Sequence, residues 1–206
     1  MKPTIQFIDV SKTNIYIRTL LRWTQYDPAI QKNFKDITIP DLAERMSSIT
    51  EDVQQQWDSK EHQVLEHVSS ISGFPWEDIG EETICVYPIP FFHSLSHPLF
   101  LKVCDVTDGN IERRSAGLII GTLIHELTHH LVRGLPVERT VNEALIHFVV
   151  LDSLQTFFGD RYASEYEKFY SSLETLNAEL VPIPISNKEQ TIATFYKRTS
   201  PDHWDS

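Results

Sequence analysis

The chain has 206 residues, 41% of them hydrophobic, and a formal net charge of −11. That length and apolar content suit one buried core, and the acidic balance argues against a nucleic-acid binder, which needs a basic face to displace counterions from phosphates. No apolar run approaches the roughly eighteen residues of a membrane span, and the polar residues in "MKPTIQFIDVSKTNIY" spoil a secretion signal, so a cytoplasmic protein with no membrane association is expected.

In chain order, residues 11–26, around "TNIYIRTLLRWTQY", have amphipathic helical spacing. Residues 40–71 have the same period, opening at Pro40–Asp41 and closing at Gly73, so the part from 1 to 75 reads as helical. Over 83–105 the character changes. "TICVYPIP" predicts a strand and "PLFLKVCDV" a second, joined by the short "FFHSLSH" and ended by the turn "TDGN". Cys85 and Cys104 flank this expected hairpin; two cysteines make no disulfide framework, and buried free thiols are expected.

Ser115 to Gly134 reads as a strongly apolar helix stopped by Gly134, and Pro136 opens the next, which ends near Gly159. "DRYASEYEKFYSSLETLNAEL" is a third helix, and Pro182 and Pro184 begin an extended, edge-strand-like tail. The predicted fold class is α+β: a mostly helical single domain over 1–206, with a small β-sheet preceding the helix pair of 115–159 and a C-terminal helix and tail over 160–206.

The chemistry concentrates in "GTLIHELTHHLVRG", residues 121–134. His125 and His129 are four apart, so on a helix two imidazoles share one face and can share one tetrahedral cation. Glu126 lies between them and can reach a water on that cation without filling a coordination position. This is the H-E-x-x-H arrangement, two zinc ligands with a general base. The plain alternative is a polar stripe on an exposed helix. Against it, "LIIGTLIHEL" is apolar nearly all round, which implies burial, and a carboxylate buried among imidazoles needs a compensating charge. One Zn2+ per chain is therefore expected.

A catalytic zinc takes three protein ligands and leaves one position open. The metzincin continuation requires glycine at 132 and histidine at 135, and this chain has Val132 and Leu135, so that branch is excluded. Glu138, Glu143 and His147 remain. The helix rises roughly 7 Å from His129 to Gly134, and a helix running back from Pro136 needs roughly 7–10 Å to come level again, which places the ligand at 141–143. Glu143 fits, whereas Glu138 sits at the turn and His147 one turn beyond. His130, turned about 100° from His129, reads as a polar boundary residue and not a fourth ligand.

"HELTHH" followed by "VNEALIH" resembles the gluzincins, the thermolysin-like zinc metallopeptidases, in which H-E-x-x-H precedes a second helix carrying N-E-x-x-x-D. The resemblance covers roughly residues 117–152. It implies a zincin-like fold, zinc bound by His125, His129 and Glu143, Glu126 as base and proton shuttle, and a peptide or protein substrate cleaved by zinc-activated water. The ligand gap is shorter than in thermolysin-like enzymes, consistent with compact gluzincins. Where the pattern has an aspartate supporting the first histidine, this chain has His147, which either supplies that hydrogen bond or is a buried histidine bonded to a carbonyl or water. Asn142 either bonds across the site or to a substrate backbone, or lies on the helix surface.

In gluzincins the oxyanion donor is often a downstream tyrosine or histidine, and Tyr162, Tyr166, Tyr170, Tyr196 and His203 all qualify. Substrate would add to an edge strand; "TICVYPIP" is the candidate, or is an interior strand ended by Pro88 and Pro90. The alternative function is a catalytically inactive, zinc-stabilised binding or regulatory module, against which Glu126 speaks. A third reading is a latent peptidase whose tail "SPDHWDS" sets Asp202 or His203 on the open zinc position.

Overall fold

The computed structural model describes residues 2–8, 32–34, 36–90, 94–133 and 139–171. The expected helix over 11–26, the turn holding Gly134, Pro136 and Glu138, and the tail with Tyr196, Asp202 and His203 lie outside them.

Thr38 opens the first described helix, α1 (Ile39–Asp58), its hydroxyl accepting from the Asp41 N–H at 3.2 Å. Pro40 occupies the first turn, where a missing N–H leaves no gap. The expected single helix is two: α2 (Glu61–Ser72) follows a break at Ser59–Lys60. There the Lys60 N–H donates to the Trp57 carbonyl at 2.7 Å and Trp57 Nε1 to Glu61 Oε2 at 2.8 Å, a local closure that the hydrophobic period does not reveal. The bend aims Leu42, Met46, Ile49, Val53 and Trp57 of α1 and Val64, Leu65 and Val68 of α2 into one core. Gly73 ends α2 in the left-handed region, at φ 76°.

Four strands form the main sheet: β1 (Thr4–Phe7), β2 (Thr83–Ile89), β3 (Leu95–Ser96) and β4 (Leu99–Lys102), in the order β1-β2-β4-β3. β1, not anticipated from sequence, pairs parallel with β2, and β2 pairs parallel with β4. "TICVYPIP" is thus an interior strand, and the expected β2–β4 hairpin is corrected: the chain returns through β3, which pairs antiparallel with β4 and forms the sheet edge. Pro88 is tolerated because β1 pairs with β2 only through Val86, so at Pro88 β2 has a ladder partner on the β4 side alone.

The expected strand "PLFLKVCDV" divides at Val103 into β4 and β5 (Cys104–Thr107), which pairs with β6 (Asn110–Arg113) in a separate hairpin. Its turn is the predicted "TDGN", with positive φ at Asp108 and Gly109. Both cysteines are free thiols, Cys85 half-buried and Cys104 buried.

Three helices complete the α+β fold: α3 (Ala116–Leu131), α4 (Arg139–Phe157) and α5 (Asp160–Ser171). α3 lies between the sheet, at β3 and β4, and the other two helices. Among the described residues no helix is long and apolar enough to cross a membrane.

Candidate metal centre

Helix α3 begins at Ser115, whose hydroxyl accepts from the Leu118 N–H at 3.3 Å. Fourteen of its sixteen residues are buried; His129 is the single exception beyond the first residue, so the helix meets solvent where the proposed ligand sits. Its buried hydroxyls, Thr122 and Thr128, donate to carbonyls four residues back, each at 2.7 Å, so neither is left unsatisfied.

Helix α4 runs back along α3, since Leu154 lies beside Gly121 while Glu143 lies beside His129. That reversal brings the three expected ligands together. His125 Nε2 and His129 Nε2 are 3.1 Å apart, Glu143 Oε2 is 3.4 Å from the first and Glu143 Oε1 3.3 Å from the second. Two donors bonded to one tetrahedral zinc at 2.0–2.1 Å stand about 3.3–3.4 Å apart, so the three side chains fit that ion.

Electrostatics agree with the geometry. Burial holds the His125 imidazole below its ordinary value, against the opposing pull of Glu143, so the ring is in the neutral form that can ligate. Burial also works to raise Glu143, but its hydrogen bonds to His125 and His129 outweigh it and hold the carboxyl well below the usual range. Among the described residues Glu126 has no such partner: burial, opposed by His129 and assisted by the charge of Glu143, pushes its carboxyl up to about 7. A divalent cation beside these carboxylates offsets their charge in a buried setting.

Helix α5 supports His125 from behind. Tyr162, Tyr166 and Tyr170 recur every four residues and climb α3 opposite Gly117, Gly121 and His125. A Cβ at Gly117 would stand 2.6 Å from the Tyr162 carbonyl oxygen; one at Gly121 would stand 2.8 Å from Tyr166 Cγ and 3.1 Å from Leu154 Cδ1. The two glycines therefore make a groove for α5, and Glu165, midway along that helix, accepts the Gly117 N–H at 3.0 Å. Packed at Gly121, Tyr166 is fully buried and its hydroxyl lies 3.0 Å from His125 Nδ1. Burial, then Tyr170, pushes the Tyr166 hydroxyl well above its ordinary value, so it stays neutral. When His125 ligates through Nε2 its proton is on Nδ1, which donates to Tyr166 Oη.

The remaining sequence candidates fall elsewhere. His147 does not support His125; its ring stacks on Tyr166 with centroids 5.4 Å apart, and burial, followed by His125, lowers its pKa. Tyr162 donates its hydroxyl to Gln56 Oε1 at 2.5 Å, on α1. Tyr170 tilts over His125 with centroids 5.4 Å apart, and its hydroxyl is hydrogen-bonded to that of Tyr166. Asn142 is half-buried on α4 beside Glu143. His130 faces away from the three ligands, toward β3, where Nδ1 lies 3.2 Å from the Ser96 carbonyl oxygen. The role of Tyr166 was the hardest to anticipate, and its signal was the matched spacing of Gly117, Gly121 and His125 with Tyr162, Tyr166 and Tyr170.

Compared with protein-family models, curated proteins and solved structures, the chain matches none of them.

Proposed function

We propose that the protein is a zinc-dependent peptidase, with His125, His129 and Glu143 holding the ion and Glu126 moving the proton. The observation that carries this reading is the mutual 3.1–3.4 Å spacing of three donor atoms from two packed helices. The compact gluzincin arrangement, a zincin-like fold and a peptide or protein substrate belong to the same proposal, as does cytoplasmic localisation. The chemistry that zinc supplies when bound is polarisation of a carbonyl and acidification of a water.

The rest of the work falls to the chain. Glu126, buried and adjacent to the ligand His125, takes a proton from the attacking water and delivers it to the departing amine nitrogen. A carboxyl held near 7 by burial is suited to both halves of that transfer, because it gains and loses a proton at little cost near neutral pH. Tyr166 orients the His125 ring and fixes its tautomer. The sheet edge nearest this helix is β3, which replaces β2 as the strand to which an extended peptide would add.

Protein purified without a histidine tag is expected to carry zinc at this centre and to cleave members of a peptide library. Glu126→Gln is expected to keep that zinc and lose cleavage by at least about a hundredfold. A zinc-loaded parent inert across the library supports instead the inactive binding or regulatory module.

A further inference from the structure

We propose a second divalent-metal site, separate from the first, formed by Glu81, His97 and His130 and taking a borderline transition-metal ion such as Zn2+. One ligand atom from each residue lies within 4.8 Å of the others. The three come from different places in the fold: Glu81 from the segment entering β2, His97 from the turn between β3 and β4, and His130 from the last turn of α3.

His130 carries the argument. Its side chain is only 3% exposed, and its Nδ1 lies 3.2 Å from the Ser96 carbonyl oxygen. A carbonyl only accepts, so Nδ1 holds the proton and donates it. The ring's other nitrogen, Nε2, is buried and has no hydrogen-bond partner among the described residues. Glu81 Oε2 nevertheless stands 3.3 Å from it. A buried ring nitrogen that faces a carboxylate oxygen without a hydrogen bond is left unsatisfied. No hydrogen bond is aligned between these two atoms. A cation between them satisfies both, and 3.3 Å is the spacing of two donors on one tetrahedral zinc.

His97 supplies the third donor. Its ring centroid is 5.4 Å from that of His130, and it sits on an exposed turn, where its side chain has room to close on an ion. Two imidazoles and one carboxylate select zinc, cobalt, nickel or copper over magnesium or calcium, which prefer oxygen ligands. Arg133 opposes the ion: its Nη1 lies 3.2 Å from His97 Nδ1, and its exposed side chain must swing aside. A bound ion would tie the edge strand, the entry to β2 and the end of α3 together, so it would register in stability before it registered in turnover.

The test uses the full chain, purified without a histidine tag and dialysed against ZnCl2. Two zinc ions per chain are expected, with one lost in His97→Ala and one in Glu81→Gln; both side chains reach solvent, so the fold survives either change. In a Glu143→Ala background, ZnCl2 is expected to raise Tm, and adding His97→Ala to abolish the rise. Arg133→Ala is expected to tighten zinc at this site by roughly threefold to tenfold. A zinc count unchanged by His97→Ala or Glu81→Gln overturns the proposal, and unchanged or weaker binding in Arg133→Ala overturns its geometry. One zinc in the parent, retained in Glu143→Ala but lost in His97→Ala, supports this site and removes the first.

Discussion

The two histidine clusters meet on α3 at adjacent residues, His129 and His130, and are held in opposite ways. Around His129 the donors come from two packed helices, stand 3.1–3.4 Å apart and are backed by a buried tyrosine. Around His130 they come from two surface segments and a helix end, lie within 4.8 Å, and include a histidine on an exposed turn. The first is organised before an ion arrives, whereas the second has to close on it. Ordering side chains on binding reduces affinity, so the first cluster should bind zinc more tightly with the same donor types.

The largest expected effect breaks the first cluster alone. Glu143→Ala leaves two imidazoles, and zinc affinity at that centre is expected to fall by at least about a thousandfold, roughly 4 kcal/mol. Competition with a chromophoric chelator reads this directly. The Glu81–His97–His130 cluster should keep its affinity, and a parallel loss there would show that the two are one coupled site.

Next in size is a change that touches no ligand. Gly121→Ala drives a methyl into the Tyr166 ring and is expected to cost about 2–3 kcal/mol, lowering Tm by roughly 5–10 °C. Because Tyr166 also backs His125, zinc binding at the first centre should weaken as well. An unchanged Tm would mean that α5 yields without strain and that the glycine groove does not set the position of Tyr166.

The metal-free protein offers a comparison within the first cluster. Glu126 is pushed up to about 7 from an ordinary 4.5 chiefly by burial, so the folded state binds its proton more tightly than the unfolded chain does. Its favourable contribution is full below the unfolded value and is lost as pH rises through the folded one. Without zinc, Glu126→Gln is therefore expected to be more stable than the parent at pH 8, by about 2–3 kcal/mol, with the difference closing below pH 4. Zinc should shrink the gap at pH 8, since a nearby cation favours the ionised carboxylate. Urea titrations across this range check it, and a difference that does not vary with pH would count against a raised Glu126.

The parts of this arrangement that sequence makes legible are those governed by local geometry. The one-turn spacing of His125 and His129 and the axial rise of a helix hairpin were enough to place Glu143 beside the two histidines. What escaped depends on distant partners. β1 is a four-residue strand whose pairing partner begins at Thr83, and nothing in "TIQF" announces it. Pro88 and Pro90 suggested an edge strand because a proline lacks its N–H, yet the sheet satisfies Pro88 simply by ending β1 short of it. The break at Ser59–Lys60 keeps the hydrophobic period running through it. His130 read as a bystander because Glu81 and His97 are brought to it by the sheet, not by the helix. Likewise, His147 had the right spacing for the supporting role, but the alignment of α5 with α3 gives the His125 contact to Tyr166.

The smallest effect tests that last substitution of roles. Tyr166→Phe keeps the ring that packs on Gly121 and removes only the oxygen 3.0 Å from His125 Nδ1. Zinc affinity at the first centre is expected to fall about tenfold, the lower end for losing a group that orients a ligand, with little change in Tm. The cause would be tautomeric: without Oη to accept from Nδ1–H, the ring can place its proton on Nε2, where the ion must bind. Nitrogen-15 shifts of His125 in the metal-free protein should therefore show a larger share of the Nε2–H tautomer in the variant than in the parent. Tyr170→Phe should have a weaker effect, because Tyr170 reaches His125 by ring contact and through the Tyr166 hydroxyl. Equal losses from the two variants, with no change in tautomer, would mean that the tyrosines only fill space behind His125 and that something else fixes its ring.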